Sequence, residues 1–236
     1  MRHAITCLSV MGLLLTAAPA RAQDEQAEPT PTEVAPGVFV WDNGTFEFGV
    51  GDIIAEVLHY DQAWAGSQQH NAFTVAEGYP EKSEGKIVIS GEYNSAGGLF
   101  TLTETFENTD DGVKYTAALN SDSQVSSNEL SAGFSLPVDV FGDKQIMIDD
   151  NAVTLPREAP VAGSAHIMMG ENARKIVLTS EDGTLTITGD MTILLQDNRE
   201  WGDFDYGLRI NFTPSQGQYN QSNLELMFQW VPNEEE

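Results

Sequence analysis

The chain reads as an all-β protein, an antiparallel β-sandwich or jelly-roll-like single domain, and three features of its sequence predict this. Short segments alternate apolar and polar residues with period two, the period of a strand with one buried face. Turn signals such as Asp42-Asn43-Gly44, 108–112 (NTDDG) and Glu181-Asp182-Gly183 recur between them. Thr, Val, Ile, Phe and Tyr, the residues that suit a pleated half-buried surface, fill the segments.

Taken in order, 37–41 forms the first expected strand, and 45–50 follows with Phe46, Phe48 and Val50 on one face. The stretch 52–66 is ambiguous. Ile53, Ile54, Val57 and Leu58 fit a helix with Asp52 as its N-cap, yet the stretch also continues the strand before it, and strand is the preferred reading. Residues 64–84 are expected to be loop-rich. The segment 86–93 is a strand. In 99–106, Phe100, Leu102 and Phe106 fall in register, and with 113–119 it makes a hairpin across 108–112. Further strands are expected at 130–136, 145–148, 176–179, 184–188, 191–196, 206–212 and 224–231. No repeat of fixed period is visible, so one domain spanning 37–231 is expected.

Both ends read differently. Residues 1–22 combine Arg2 and His3, an apolar run from Ala4 to Ala18, and Ala20-Arg21-Ala22, the pattern of a Sec-type signal peptide cut near Ala22. The run is shorter than the ~20 residues of a bilayer-spanning helix, and no later stretch is apolar enough to be one. The expected location is therefore periplasmic or secreted, with no transmembrane segment after cleavage. Residues 23–36, rich in Pro, Glu and Thr, read as a disordered spacer, and 232–236 (PNEEE) as a polar tail.

Cys7, the single cysteine of the 236 residues, lies in the leader. The mature chain then has no disulfide and no thiolate chemistry. All 36 acidic residues follow Ala22, whereas two of the 11 basic ones (Arg2 and Arg21) precede it, leaving 9 against 36 and a formal charge of −27. Such a surface disfavours nucleic acid, anionic lipid and polyanionic polysaccharide. It is compatible with neutral ligands or cations.

Reaction motifs are missing. The histidines after the leader, His59, His70 and His166, have no zinc-ligand spacing, and no nucleophile elbow or phosphate loop occurs. No cofactor is expected. A structural calcium ion would draw on acidic turns at Asp110-Asp111, Asp149-Asp150, Glu181-Asp182 and Asp203/Asp205, although none follows an EF-hand pattern and such residues more often cap turns.

The most distinctive cluster is Gln196-Asp197-Asn198-Arg199-Glu200-Trp201, placed directly after an apolar strand. A flat aromatic beside planar hydrogen-bonding groups suits a sugar, whose C–H face stacks on the ring while amides and carboxylates bind hydroxyls. Gln196, Asp197, Asn198, Arg199 and Trp201, with Arg209 and Trp64, are thus the candidate ligand-binding residues. The alternative is that Trp201 plugs one end of the core and Arg199 makes a structural ion pair.

The run through Gly91-Glu92-Tyr93, 99–102, Leu136-Pro137, Phe141-Gly142, Leu155-Pro156, 195–199 and Leu208-Arg209 resembles β-sandwich accessory domains of secreted bacterial polysaccharide-degrading proteins. The resemblance covers roughly 86–230, and a stand-alone version without a catalytic module is expected. It implies an exported, non-catalytic carbohydrate-binding or accessory protein whose partner is a neutral poly- or oligosaccharide. The alternatives are an envelope structural or protein-interaction domain, and a small glycan-active hydrolase or lyase. Residues 217–221 (GQYNQ) slightly resemble a strand of one alginate lyase family, but the Arg-rich and Gln-x-His strands of those enzymes are missing.

Overall fold

The computed structural model describes residues 31–95, 97–212 and 218–233. The expected signal peptide, most of the spacer and residues 234–236 of the tail lie outside the described residues. The first strands are β1 (Thr32–Ala35), β2 (Val38–Val40), β3 (Phe46–Phe48) and β4 (Ile53–Asp61). The fold thus begins earlier than the expected boundary at 37: β1 pairs antiparallel with β2 and buries Val34, so 32–35 belongs to the sheet and not to a spacer. Within 52–66 the ambiguity resolves in favour of strand, over Ile53–Asp61. Asp52 is no N-cap but a left-handed turn residue (φ 53°) ahead of β4.

The 64–84 region holds only short pieces: β5 (Gly66–Gln68), the one-turn helix α1 (Gln69–Ala72), β6 (Thr74–Val75) and β7 (Glu81–Ser83). Longer strands follow: β8 (Lys86–Ser95), β9 (Gly98–Thr109), β10 (Gly112–Val125) and β11 (Ser127–Pro137). After the short helix α2 (Val138–Phe141) come β12 (Gln145–Ile148), β13 (Asn151–Thr154), β14 (His166–Thr179) and β15 (Gly183–Asp197). A 3-10 turn at Asn198–Trp201 leads to β16 (Asp205–Asn211) and β17 (Tyr219–Pro232). The 108–112 turn closes the β9–β10 hairpin, as its composition predicts.

All strand pairs are antiparallel, and the strands form one hydrogen-bonded network that folds over into two layers. One layer runs β3-β4-β11-β16 and the other β8-β9-β10-β17. β15 joins them. Its first half, 183–189, pairs with β17, and its second half, 192–197, pairs with β16. Thr184–Thr188 and 191–196, expected as two strands, are one bent strand. The bend falls at Gly189, where a Cβ would meet the Glu225 carbonyl oxygen at 2.9 Å. Beside it, β14 shifts register around Asn172, which has φ 60°. Register shifts of this kind bend a strand and raise its twist.

Between the layers Phe46 is the hub. Its ring lies 5.1–5.9 Å from those of Phe106, Tyr115, Phe134 and Phe228, which come from β9, β10, β11 and β17. Glu104 shares the inward register of Phe100, Leu102 and Phe106, so the same alternation carries a carboxyl into the core, fully buried. Tyr115 donates its hydroxyl to Glu104 Oε1 (2.7 Å), and Gln69 Nε2 donates to Oε2. Gln69 Oε1 in turn accepts the Val57 N–H (2.9 Å). Gly44, at φ 88°, covers this pair so closely that any Cβ would collide with both side chains. A second buried group is His59, whose ring nitrogens lie 3.2 Å from the Tyr93 hydroxyl and 3.0 Å from that of Tyr219.

Burial pushes the Glu104 carboxyl up to about 7, and the bonds from Tyr115 and Gln69 only partly oppose this. The folded chain therefore keeps a proton that the unfolded chain loses near its ordinary value of about 4.3, and this group's contribution to stability falls as pH rises between the two. Burial also holds the His59 imidazole down at about 4. Its contribution has the opposite slope and is lost as pH falls from about 6.5 toward 4. We expect Glu104→Gln to gain stability relative to the wild type as pH climbs from about 4.5 to about 7, by roughly 3 kcal/mol in all. Urea denaturation at a series of pH values measures it, and a difference that does not vary with pH would contradict it.

Candidate functional site

The outer face of the β4-β11-β16 layer is the candidate site. Period-two alternation sends Ile54, Glu56, Leu58 and Tyr60 of β4 outward, with Asp205, Gly207, Arg209 and Asn211 of β16 facing the same way. The register aligns them in rows: Glu56 lies beside Gly133, Gly133 beside Arg209, and Arg209 beside Leu194 of β15. Two floor positions are glycines on which neighbouring side chains rest. A Cβ on Gly133 would strike Leu58, and one on Gly207 would strike Asn198.

Arg209 sits at the centre. Its Nη1 donates to Glu129 Oε2 (2.7 Å), and the guanidinium lies 5.2 Å from the Tyr60 ring centroid. Both members of the pair are largely buried, and Ser131 donates a further bond to Glu129 (2.6 Å). Burial raises the Tyr60 hydroxyl above its usual range, so it stays a neutral donor.

Five of the seven residues singled out from the sequence line one cavity of about 520 Å³: Trp64, Gln196, Asn198, Trp201 and Arg209. Tyr60, His166, Leu194 and Asp203 complete it. Asn198 is fixed in place, accepting from Gln196 Nε2 and donating to Asp205 Oδ1, both at 2.8 Å. Trp201 is 58% exposed and Trp64 61%, so neither plugs the core. Trp64 occupies a left-handed conformation (φ 61°), which is unusual for so bulky a residue and costs about 1–3 kcal/mol. Asp61 holds that loop by accepting the N–H groups of Ala63 and Ala65, each at 2.8 Å.

Asp197 and Arg199 are not part of this cavity, which corrects the expectation for both. Alternation turns Asp197 inward, opposite to Gln196, and leaves it 1% exposed. It binds Arg199 through Nε (2.8 Å), Nη2 (2.6 Å) and the backbone N–H (3.1 Å). The Arg199 guanidinium also donates to the carbonyls of Pro156, Arg157 and Glu158 and lies over Tyr206. This ion pair clasps the 156–158 loop onto the end of β15, and the bond to Asp197 raises the arginine's pKa further.

Three features had no sequence signal. A neighbouring cavity of about 570 Å³ holds Glu56 and His70, whose Nδ1 lies 2.8 Å from Glu56 Oε2. Phe204, 86% exposed, lines the same cavity. His166 arrives through β14, opposite Gln196. Three of the four acidic turns proposed for calcium have a carboxylate engaged otherwise. Asp149 accepts the N–H groups of Arg174 and Lys175, Asp182 accepts the Gly51 N–H, and Asp205 accepts from Ser135. Among the described residues, no group of three or more His, Cys, Asp or Glu side chains is arranged to hold a metal.

The clasp gives a test. Asp197→Ala should lower stability by about 2 kcal/mol, the scale of lost charge-assisted hydrogen bonds, and Arg199→Lys should lose much of the same, since one ammonium cannot bridge the carboxylate and three carbonyls. Chemical denaturation reads both, and losses below ~0.5 kcal/mol, the level of ordinary surface substitutions, would contradict the structural role.

No family model matches the chain, and no curated protein matches it. Among solved structures it is similar to a galactose mutarotase-like protein from Lactobacillus casei ATCC 334, with 12% identity and a TM-score of 0.51, over 82% of this chain and 96% of that one. It is also similar to a proposed aldose 1-epimerase from Escherichia coli K12, with 11% identity and a TM-score of 0.46, over 86% of this chain and 82% of that one. At 12% identity the likeness to the first is one of fold.

Proposed function

We propose that this protein binds neutral carbohydrate on the outer face of the β4-β11-β16 layer, as an exported binding or accessory protein. The observation that carries this reading is the cavity in which two half-exposed tryptophans, Trp64 and Trp201, stand beside Gln196, Asn198, His166 and Arg209. Indole faces stack on the apolar face of a sugar ring, and the amides, imidazole and guanidinium offer bonds to its hydroxyls. Exposing two large aromatics at one cavity, one of them in a strained backbone conformation, is costly in a protein with no ligand to cover them. The net charge supports a neutral ligand over a polyanion. The leader expected at 1–22 agrees with a glycan met outside the cytoplasm. The description of the solved neighbour as galactose mutarotase-like is a further support for a sugar in this fold.

A second reading is catalytic, in which the groove interconverts sugar anomers. The Glu56–His70 pair favours it, a carboxylate and an imidazole in contact beside a cavity, positioned to exchange protons with a ring hydroxyl.

Isothermal calorimetry against neutral glucans, xylans, mannans and galactans tests the first reading. Trp201→Ala and Trp64→Ala should each weaken binding about tenfold, or ~1.4 kcal/mol, with thermal stability retained. A blank across the panel would sink it. Polarimetry of freshly dissolved glucose and galactose tests the second: the wild type should speed the approach to anomeric equilibrium and Glu56→Gln should not, whereas an unaccelerated wild type ends that reading.

A further inference from the structure

The cavity that holds Trp64 and Trp201 has a neighbour on each side. The cavity of about 570 Å³ shares Tyr60, Asn198, Asp203 and Arg209 with it. A third, of about 380 Å³, shares Trp64, Leu194 and Arg209. Arg209 lines all three, so they form one trough. The trough follows β16: Asp205 and Gly207 lie under the first cavity, Arg209 under the middle, and Asn211 under the third. From Asp205 to Asn211 there are six residue steps at about 3.4 Å each, which makes it about 20 Å long.

Every part of this trough carries an exposed aromatic. Phe204 stands in the first cavity, Trp201 in the second, and Trp64 on the boundary of the second and third. A pocket of about 300–1,000 Å³ accommodates a whole drug-sized ligand. The middle cavity by itself already meets that size, and a single pyranose would leave the flanking cavities and their aromatics unused. Aromatic platforms in successive cavities that share Arg209 match a ligand that itself repeats.

We infer that the trough binds a run of several sugars within a neutral glycan chain, with the stacking faces of Phe204, Trp201 and Trp64 as successive subsites. This rests on the carbohydrate reading above and specifies its ligand as a chain, not a free monosaccharide or a reducing end.

The experiment is calorimetry on the full chain with size ladders, from monosaccharide to hexasaccharide, of xylo-, cello-, manno- and galacto-oligosaccharides. Each member is tested as prepared and after borohydride reduction of its end to the alditol. In the series that binds, affinity should rise at least tenfold from the monosaccharide to the tetra- or pentasaccharide and then level off. Reduction should leave the affinity of the long members unchanged. Phe204→Ala, which removes a side chain 86% exposed and so spares the core, should cost the hexasaccharide about tenfold. A monosaccharide that binds as tightly as the hexasaccharide, or binding abolished by reduction, would overturn the inference while leaving the carbohydrate reading in place. Binding by no member of any ladder would remove the carbohydrate reading and this inference with it.

Discussion

β15 has to belong to two layers at once, and the rest of the architecture follows from how it does so. Its first half is bonded to β17 and its second half to β16, so the layers are two arms of one network. The change of partner takes place over a few residues and needs a close backbone approach at Gly189, matched on β14 by the irregular register around Asn172. With the arms folded over, the apolar faces of β3 and β11 meet those of β9, β10 and β17 across Phe46. The outer face of β16 is left uncovered as a result, and Arg209 is displayed there with Tyr60 and Glu129 around it.

The interior is not uniformly apolar, and three of its polar groups fix relationships between distant segments. Glu104 ties β9 to β10 through Tyr115, to α1 through Gln69, and to β4 through the Val57 amide that Gln69 accepts. His59 joins β4 to β8 and β17 through two tyrosines. Glu129 and Arg209 join β11 to β16. A hydrophobic contact tolerates sliding, but a buried carboxyl that loses its donors does not, because the unpaired group costs more than the bond contributes. A strand shifted by one residue would strand these groups, so they resist wrong register.

Much of the fold was legible because alternation is a local property. Phe46 and Phe48 and the β9–β10 hairpin can be read from a few neighbouring residues, whereas 53–61 fits a helix as well and favours strand only as a continuation of the strand before it. The same rule, applied to Glu104, places a carboxyl in the core, where composition alone would not put one. Alternation also separates Gln196 from Asp197, which a view of 196–201 as one cluster obscures: one faces the groove and the other the clasp. The remaining gaps are long-range. That Trp64 and Arg209 stand beside Trp201 depends on β4, β11, β16 and β15 lying side by side, and no spacing along the chain encodes it. The strand at 32–35 was hidden for a different reason, since a four-residue strand with one buried valine has too little pattern to distinguish it from the acidic residues before it.

The glycine floor of the groove has a bearing on how this protein could diversify. At Gly133 and Gly207 the sheet contributes no side chain, and the contour is drawn by Leu58 and Asn198 resting on those two positions. Neither is part of the Phe46 cluster between the layers. Trimming or enlarging Leu58 or Asn198 would deepen or raise the floor while the backbone beneath keeps its hydrogen bonds. The shape that meets a ligand can therefore drift separately from the frame that carries it, and relatives with the same strand order could accept different partners through changes at two side chains.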